Sequence, residues 1–347
     1  MAAAVIGVVG NDVPRQLLWA TGAVPRRLTG GWGGYASAEA LDLLGAVDPP
    51  VADILTGLLD ADDSALDAVI VCNDSQSHLR LFYVLRMLTA RGLPPVHLLD
   101  LPRQDGTATR RFARVQLERV AEFCATVTGI ATDRTDWRSA ARRERAVGDA
   151  VGRLRARRRS VPARVSGAAA LTATLAAASL PPEEAVAVLD AATGEVDPAA
   201  TRLFVTGSSH PDASFYAALE REGAVVVGEN HDTGDLAWFG ASVESEDRSA
   251  VLDGLVAAHF ARRTGSAVST IAETADATGG GADASTADAV LALIRAGDDA
   301  PLWDLPAQRA RLAADGRRLA VHRGTDDATT DAAAAAHAVR ALTEVAA

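Results

Sequence analysis

The sequence predicts an α/β protein with two doubly wound parallel-sheet domains joined by a helical segment, and three observations predict it. Short, β-branched apolar bursts recur and stop at Gly, Asn or Asp, as buried parallel strands do. Each burst is followed by a stretch with helical spacing, and this grammar runs through both halves of the chain. At 347 residues, the chain is also longer than one core ordinarily serves. The pattern gives an N-terminal α/β domain over 1–130, a helical bridge over 131–200 and a C-terminal α/β domain over 201–347.

The first burst, residues 4–9, ends at Gly10-Asn11-Asp12, and a helix should follow with Pro14 in its first turn and Gly22 at its end. Residues 24–28 read as a second strand. Residues 66–72 form another, followed by the loop Asn73-Asp74-Ser75-Gln76-Ser77 and a helix over 79–90. The strand at 96–101 is cut off by Pro102, and a long amphipathic helix runs from 107 to 128. From 133 to 160 the pattern is helical and crowded with arginine, which reads as a solvated face. Pro162, Gly167 and Pro181-Pro182 punctuate the bridge.

The second half restarts with a strand at 202–208, a helix over 213–222 and a strand at 224–228. A helix over 249–264 leads into residues 274–286, whose Gly, Ala, Asp and Thr read as a mobile surface loop. A helix or strand at 287–295, a strand at 318–322 and an alanine-rich helix over 330–345 complete the domain.

Composition narrows the function. A formal charge of −11 argues against general attraction to nucleic acid or an anionic membrane. Every basic side chain other than histidine is arginine, so Schiff-base and phosphate-loop lysine mechanisms are excluded. Cys72 and Cys124 stand far apart, so thiols alone make neither a disulfide scaffold nor a zinc site. With no signal-like start and no membrane-length apolar run, the expected location is the cytoplasm.

The run Val13-Pro14-Arg15-Gln16-Leu17-Leu18-Trp19-Ala20-Thr21-Gly22-Ala23-Val24-Pro25 resembles the opening signature of the 2-hydroxyacyl-CoA dehydratase and benzoyl-CoA reductase family. There, a P-E-E-L-hydrophobic-A-A-G-A-hydrophobic-P run follows the first strand. Residues 95–102, residues 203–210 with Thr206-Gly207-Ser208, and residues 223–228 leading into Thr233-Gly234 match in the same order. The resemblance covers nearly the whole chain. It implies flavodoxin-like sheets, a related partner subunit, and an iron–sulfur cluster and an acyl-CoA held between the domains. An ATP-dependent activator would deliver the electron that makes a ketyl radical and expels the hydroxyl group.

The chain departs from that pattern in its sulfur. The family typically uses three cysteines per subunit for a four-iron cluster, because thiolates suit iron. Here Cys72 is the only retained cluster cysteine, and its alternative is a small strand-end residue. The first would fall near Gly10 or Asn11 and the third near Gly297 or Asp298, where there is no sulfur. Cys124 reads as a buried helix thiol. The expectation is no cofactor in this chain, with a cluster in a partner subunit.

If ligands gather where parallel strands end, one cleft should be lined by Asn11, Asp12, Asn73, Asp74, Ser75, Gly207, Ser208, Ser209, Asn230 and Asp232. His210 and His231 are the candidate proton donors or acceptors there, against surface histidines as the alternative. Amides of Gly207-Ser208-Ser209 could meet a phosphate or thioester oxygen. Among the tryptophans, Trp32 and Trp238 lie in glycine-flanked loops, whereas Trp19, Trp137 and Trp303 read as core or interface filling.

Two functions of different class follow. The first is a subunit that pairs with a paralogous cluster-bearing partner, or with itself, and contributes to an acyl-CoA cleft. The second is a cluster-free scaffold or regulatory protein of the same fold. A nucleotide-sugar or periplasmic-type binder shares the doubly wound halves and is a third.

Overall fold

The computed structural model describes residues 3–32, 36–60, 66–262, 269–324 and 333. The chain forms two compact units, the first made of Met1–Asp149, Ala177–Val186 and Trp238–Val268, the second of Ala150–Ala176, Ala187–Ala237 and Ser269–Ala347. Each has a four-stranded, all-parallel sheet. The α/β class and the two flavodoxin-like sheets are therefore as the sequence predicts.

In the first unit β1 (Val5–Val9), β2 (Val24–Leu28), β3 (Ala68–Cys72) and β4 (Val96–Leu99) lie in the order β2-β1-β3-β4. Alternate side chains of β1 and β3 enter two separate cores, which is why these strands read as unbroken apolar runs. Ile6, Val8, Ala68 and Ile70 pack with α1 (Arg15–Ala20), α5 (Thr107–Thr128) and α10 (Arg248–Ala261). Val9, Val69 and Val71 pack on the other face with α2 (Ala38–Leu44), α3 (Pro49–Leu59) and α4 (Gln76–Leu88). Helix starts are fixed by local chemistry: Ser37, Ser75 and Asp247 cap α2, α4 and α10 by accepting backbone N–H groups.

Helices α6 (Trp137–Arg159), α7 (Gly167–Ala177) and α8 (Pro182–Ala191) precede the second sheet. There β5 (Thr201–Gly207), β6 (Ala224–Glu229), β7 (Ala289–Ile294) and β8 (Leu319–Arg323) lie in the order β6-β5-β7-β8, with α9 (Ser214–Arg221), α11 (Ile271–Ala284) and α12 (Ala300–Ala314). Phe204, Val290, Ala282 and Leu312 belong to one of its cores.

The structure corrects three sequence readings. The segment taken as a mobile loop, 274–286, is mostly helix: α11 is closed at its start by Thr270 and Glu273, each accepting from the other's backbone. Its small residues serve packing, since a Cβ on Gly281 would stand 2.6 Å from the Phe204 ring. The arginine-rich α6 is less a bare solvated face than an ion-paired one, with Arg143 bidentate to Glu183 and Arg153 bidentate to Asp190. Trp303 is 74% exposed, which removes core filling and leaves interface filling as its reading. The alanine-rich helix expected over 330–345 lies outside the described residues, apart from 333.

Candidate functional site

In an open parallel sheet the strand ends beside the order reversal are the natural place for ligands. In the first unit these are the loops after β1 and β3, and the sequence-chosen residues there do come together. Gly10 turns the chain at φ +91°, and a Cβ there would lie 2.5 Å from both Asp74 Oδ2 and the Cys72 Cβ, so only glycine fits. The turn lets Asn11 N donate to Asp74 Oδ2 at 2.9 Å and Asp12 N donate to Cys72 Sγ at 3.4 Å. Asp74 also pairs with His78, and Ser75 caps α4 by accepting His78 N at 3.0 Å. Asn73 turns aside and donates to Asp100 at 2.9 Å.

Residues that the sequence reading missed complete this pole. Arg262 donates to Asn11 O at 2.7 Å, pairs with Asp12 and stacks 4.2 Å above the Trp238 ring. Arg27 Nη1 and Trp238 N both donate to Asn11 Oδ1 at 3.2 Å. Burial raises the Asp12 carboxyl above its usual range even against the pull of Arg262. Below the pole, Arg15 is buried between the Trp19 and Phe239 rings, with Glu144 3.5 Å from its Nε. Only Trp238 carried a sequence signal, its glycine-flanked loop. Arginines distant in sequence carry none.

Beside Arg27, a cavity of about 410 Å³ opens at the end of β2, lined by Thr29, Gly30, Asp53, Thr56 and Asp60. That volume suits a small-molecule fragment. Its wall comes from α3, in a stretch that the sequence pattern left unassigned.

In the second unit Ser208, Ser209, Asn230 and Asp232 also gather at strand ends. Gly207 takes φ +110°, where a Cβ would meet Leu293 O at 2.1 Å. Ser208 Oγ donates to Asp298 at 2.7 Å and accepts Arg295 N at 3.0 Å, while Ser209 bonds Asp232. Of the amides proposed for a phosphate, Ser208 N is committed, donating to Leu293 O at 2.8 Å, and the neighbouring His210 N donates to Thr233 Oγ1 at 3.0 Å. Asn230 Nδ2 donates to Thr278 at 2.8 Å.

His210 and His231 lie in the interior, 1% and 3% exposed, with ring centres 4.8 Å apart. The His231 ring is bonded on both sides, by Tyr216 OH at 2.9 Å and Thr233 Oγ1 at 3.0 Å. Burial lowers the His231 pKa to about 4, and burial with the neighbouring His231 ring takes His210 well below its usual value. Both rings are therefore neutral near pH 7. Next to them Arg158, 2% exposed, bridges Glu229 and Asp235 at 2.7 Å each, and Arg155 and Arg159 also hold Asp235. Burial opposes the Asp235 charge, but the three arginines outweigh it and hold the carboxyl well below its usual range.

Residues 11–344 match the family described as 2-hydroxyglutaryl-CoA dehydratase, D-component. The chain belongs to that family. No curated protein matches it.

The dehydratase family resemblance implies an iron–sulfur cluster, and the donor set at the first-unit pole does not fit one. Cys72 is 0% exposed, its Sγ accepts Asp12 N at 3.4 Å, and it is the one thiol at this pole, whereas a four-iron cluster is held by several thiolates. Cys124, on α5, is buried in the core, its thiol pushed up to about 12 by burial. Among the described residues no three His, Cys, Asp or Glu side chains are placed to hold a metal ion. What surrounds Cys72 is a hard, oxygen-rich and arginine-bound network. Among the described residues no helix is long and apolar enough to cross a membrane.

Proposed function

We propose that this chain is a cluster-free component of a 2-hydroxyacyl-CoA dehydratase or benzoyl-CoA reductase-like complex, in which a paralogous partner carries the iron–sulfur centre. The observation that carries this reading is the pairing of a family match over residues 11–344 with a Cys72 whose thiol is buried among Asp12, Asp74 and their arginines. The chain's own contribution is to binding. Arg27 and the cavity beside it offer a cation, backbone groups, hydroxyls and the carboxylates of Asp53 and Asp60 to part of an acyl-CoA, while Asn11, Asp12 and Asp74 hold the loop rigid.

A second reading, a scaffold or regulatory protein with no catalysis of its own, is favoured by one feature. The two candidate acid–base residues, His210 and His231, are enclosed, and His231 is bonded at both ring nitrogens. General acid–base work needs a group within reach of the substrate proton.

The test is anaerobic coexpression with a cluster-bearing family paralogue, followed by iron and acid-labile sulfide analysis and titration with an acyl-CoA. The expected result is a brown heteromer, a colourless chain when expressed alone, and acyl-CoA binding weakened at least tenfold by Arg27→Ala. Stoichiometric iron and sulfide in the chain alone would overturn the cluster-free reading. Absence of acyl-CoA binding in a well-formed heteromer would leave the scaffold reading in its place.

A further inference from the structure

We infer that the outer edge of the first sheet, strand β4 with one flank of α5, is the surface by which this chain docks a different protein that presents an apolar strip bordered by carboxylates. The inference draws on the proposed complex only for the partner used in its test.

Strand β4 ends the order β2-β1-β3-β4, so among the described residues one of its sides has no strand beside it. Pro95 O and Leu99 O accept from Val69 N and Asn73 N on the β3 side. By alternation, Val96 and Leu98 turn their N–H and C=O groups outward. Exposed edges are normally blunted by charge, by proline or by shortness. Here Pro94-Pro95 and Pro102 keep the strand short, but nothing charged stands within it, and Val96, His97 and Leu98 are only half-buried.

The flank of α5 continues this surface. Phe112, Val115, Arg119 and Phe123 share one side of the helix by their spacing. Phe112 is 44% exposed and Val115 36%, and the Phe123 ring stacks on His97 at 5.1 Å, which joins the flank to the strand edge. The opposite flank is already occupied: Arg114 pairs with Asp253 and Glu118 with Arg248, both on α10.

Charge selects the occupant. Glu118 and Glu122 both engage Arg248, which draws the helix's acids away from the edge. Arg119, whose charge helps to lower the His97 pKa after burial, makes no ion pair among the described residues. The edge is thus apolar and positive in a chain of net charge −11. A second copy related by a two-fold axis would bring like arginines together, whereas a carboxylate-bordered partner meets them with opposite charge.

The experiment measures the dissociation constant between the chain and the cluster-bearing paralogue at two salt concentrations. Phe112→Glu and Arg119→Glu should each weaken it at least tenfold, and Arg119→Glu should flatten its salt dependence. Met87→Glu, on the exposed face of α4, should leave it unchanged. Hydrogen exchange in the peptide spanning β4 should slow in the complex. A complex that tolerates both α5 variants and leaves β4 exchange unaltered overturns the inference while the proposed heteromer stands. Failure of the wild-type chain to bind that paralogue overturns the heteromer instead, and removes the partner with it. A wild-type homodimer split by Phe112→Glu would make the occupant a second copy and also overturn the inference.

Discussion

Gly281 lies so close to the ring of Phe204 that a Cβ on it would stand 2.6 Å from the ring's edge, while its neighbour Gly280 faces open space. The two positions share a helix and differ only in what a methyl group would meet. Gly280→Ala should stabilise the fold by about 0.5–1 kcal/mol, from helix propensity and a less flexible unfolded chain. Gly281→Ala should destabilise it by about 1–3 kcal/mol through overpacking. Urea unfolding of the two variants checks the opposite signs, and equal effects would mean that Phe204 is not held against α11.

That pair also marks where the sequence was legible. Strands such as β1, β3 and β6 could be read because burial on both faces demands runs of Val, Ile and Ala, whereas β7 stayed open between helix and strand. Helix α11 could not, because the glycines that admit Phe204 look like a flexible linker when the ring's position is unknown. Helix α12 was hidden by Pro301 and Pro306, although Pro301 sits in the first turn, where proline is tolerated. At the site, the strand-end loops were predictable from the topology rule, and Asn11, Asp12, Asp74 and Ser208 fall on them. Arg262 was not, and Trp238 was marked only by its glycine-flanked loop, since both act from chain segments more than two hundred residues away from Asn11.

The two cysteines should be chemically silent in the folded chain. Cys72 is 0% exposed, its thiol raised by burial and then by Asp74 and Asp12, and burial pushes Cys124 up to about 12. Because the thiolate is the reactive form, a water-soluble disulfide reagent at pH 8 should find almost no thiol in native protein and both thiols in denaturant. A single fast-reacting native thiol would show that one of these sites opens to solvent.

Arg158 should be among the costliest residues to remove. Its guanidinium bridges Glu229 and Asp235 at 2.7 Å each, and Glu229 itself is 3% exposed. Arg158→Met leaves Glu229 as a buried carboxylate without its counter-ion, a loss of about 3–5 kcal/mol. Asp235 keeps Arg155 and Arg159, so the damage centres on Glu229. Adding Glu229→Gln should therefore recover part of the loss, since a neutral amide can still accept Asp235 N. Thermal unfolding of the single and double variants measures the coupling, and simple additivity would contradict the bridge.

His231 should make the stability of the chain depend on pH in a definite direction. Its imidazole is bonded by Tyr216 and Thr233, and burial lowers its pKa from an ordinary 6.5 to about 4. Between those values the unfolded chain binds a proton that the folded chain refuses, so stability rises with pH across the interval. The contribution is complete above pH 6.5 and is lost as pH falls towards about 4, an effect of about 3 kcal/mol for this one ring. His210 is shifted the same way and adds to the slope. His231→Gln keeps hydrogen-bonding atoms but cannot titrate, so its stability should vary less with pH over this interval. Denaturant midpoints at pH 7, 5.5 and 4.5 for both proteins supply the comparison. Parallel pH profiles would mean that His231 takes up its proton without disturbing the fold, and would place the ring within reach of solvent.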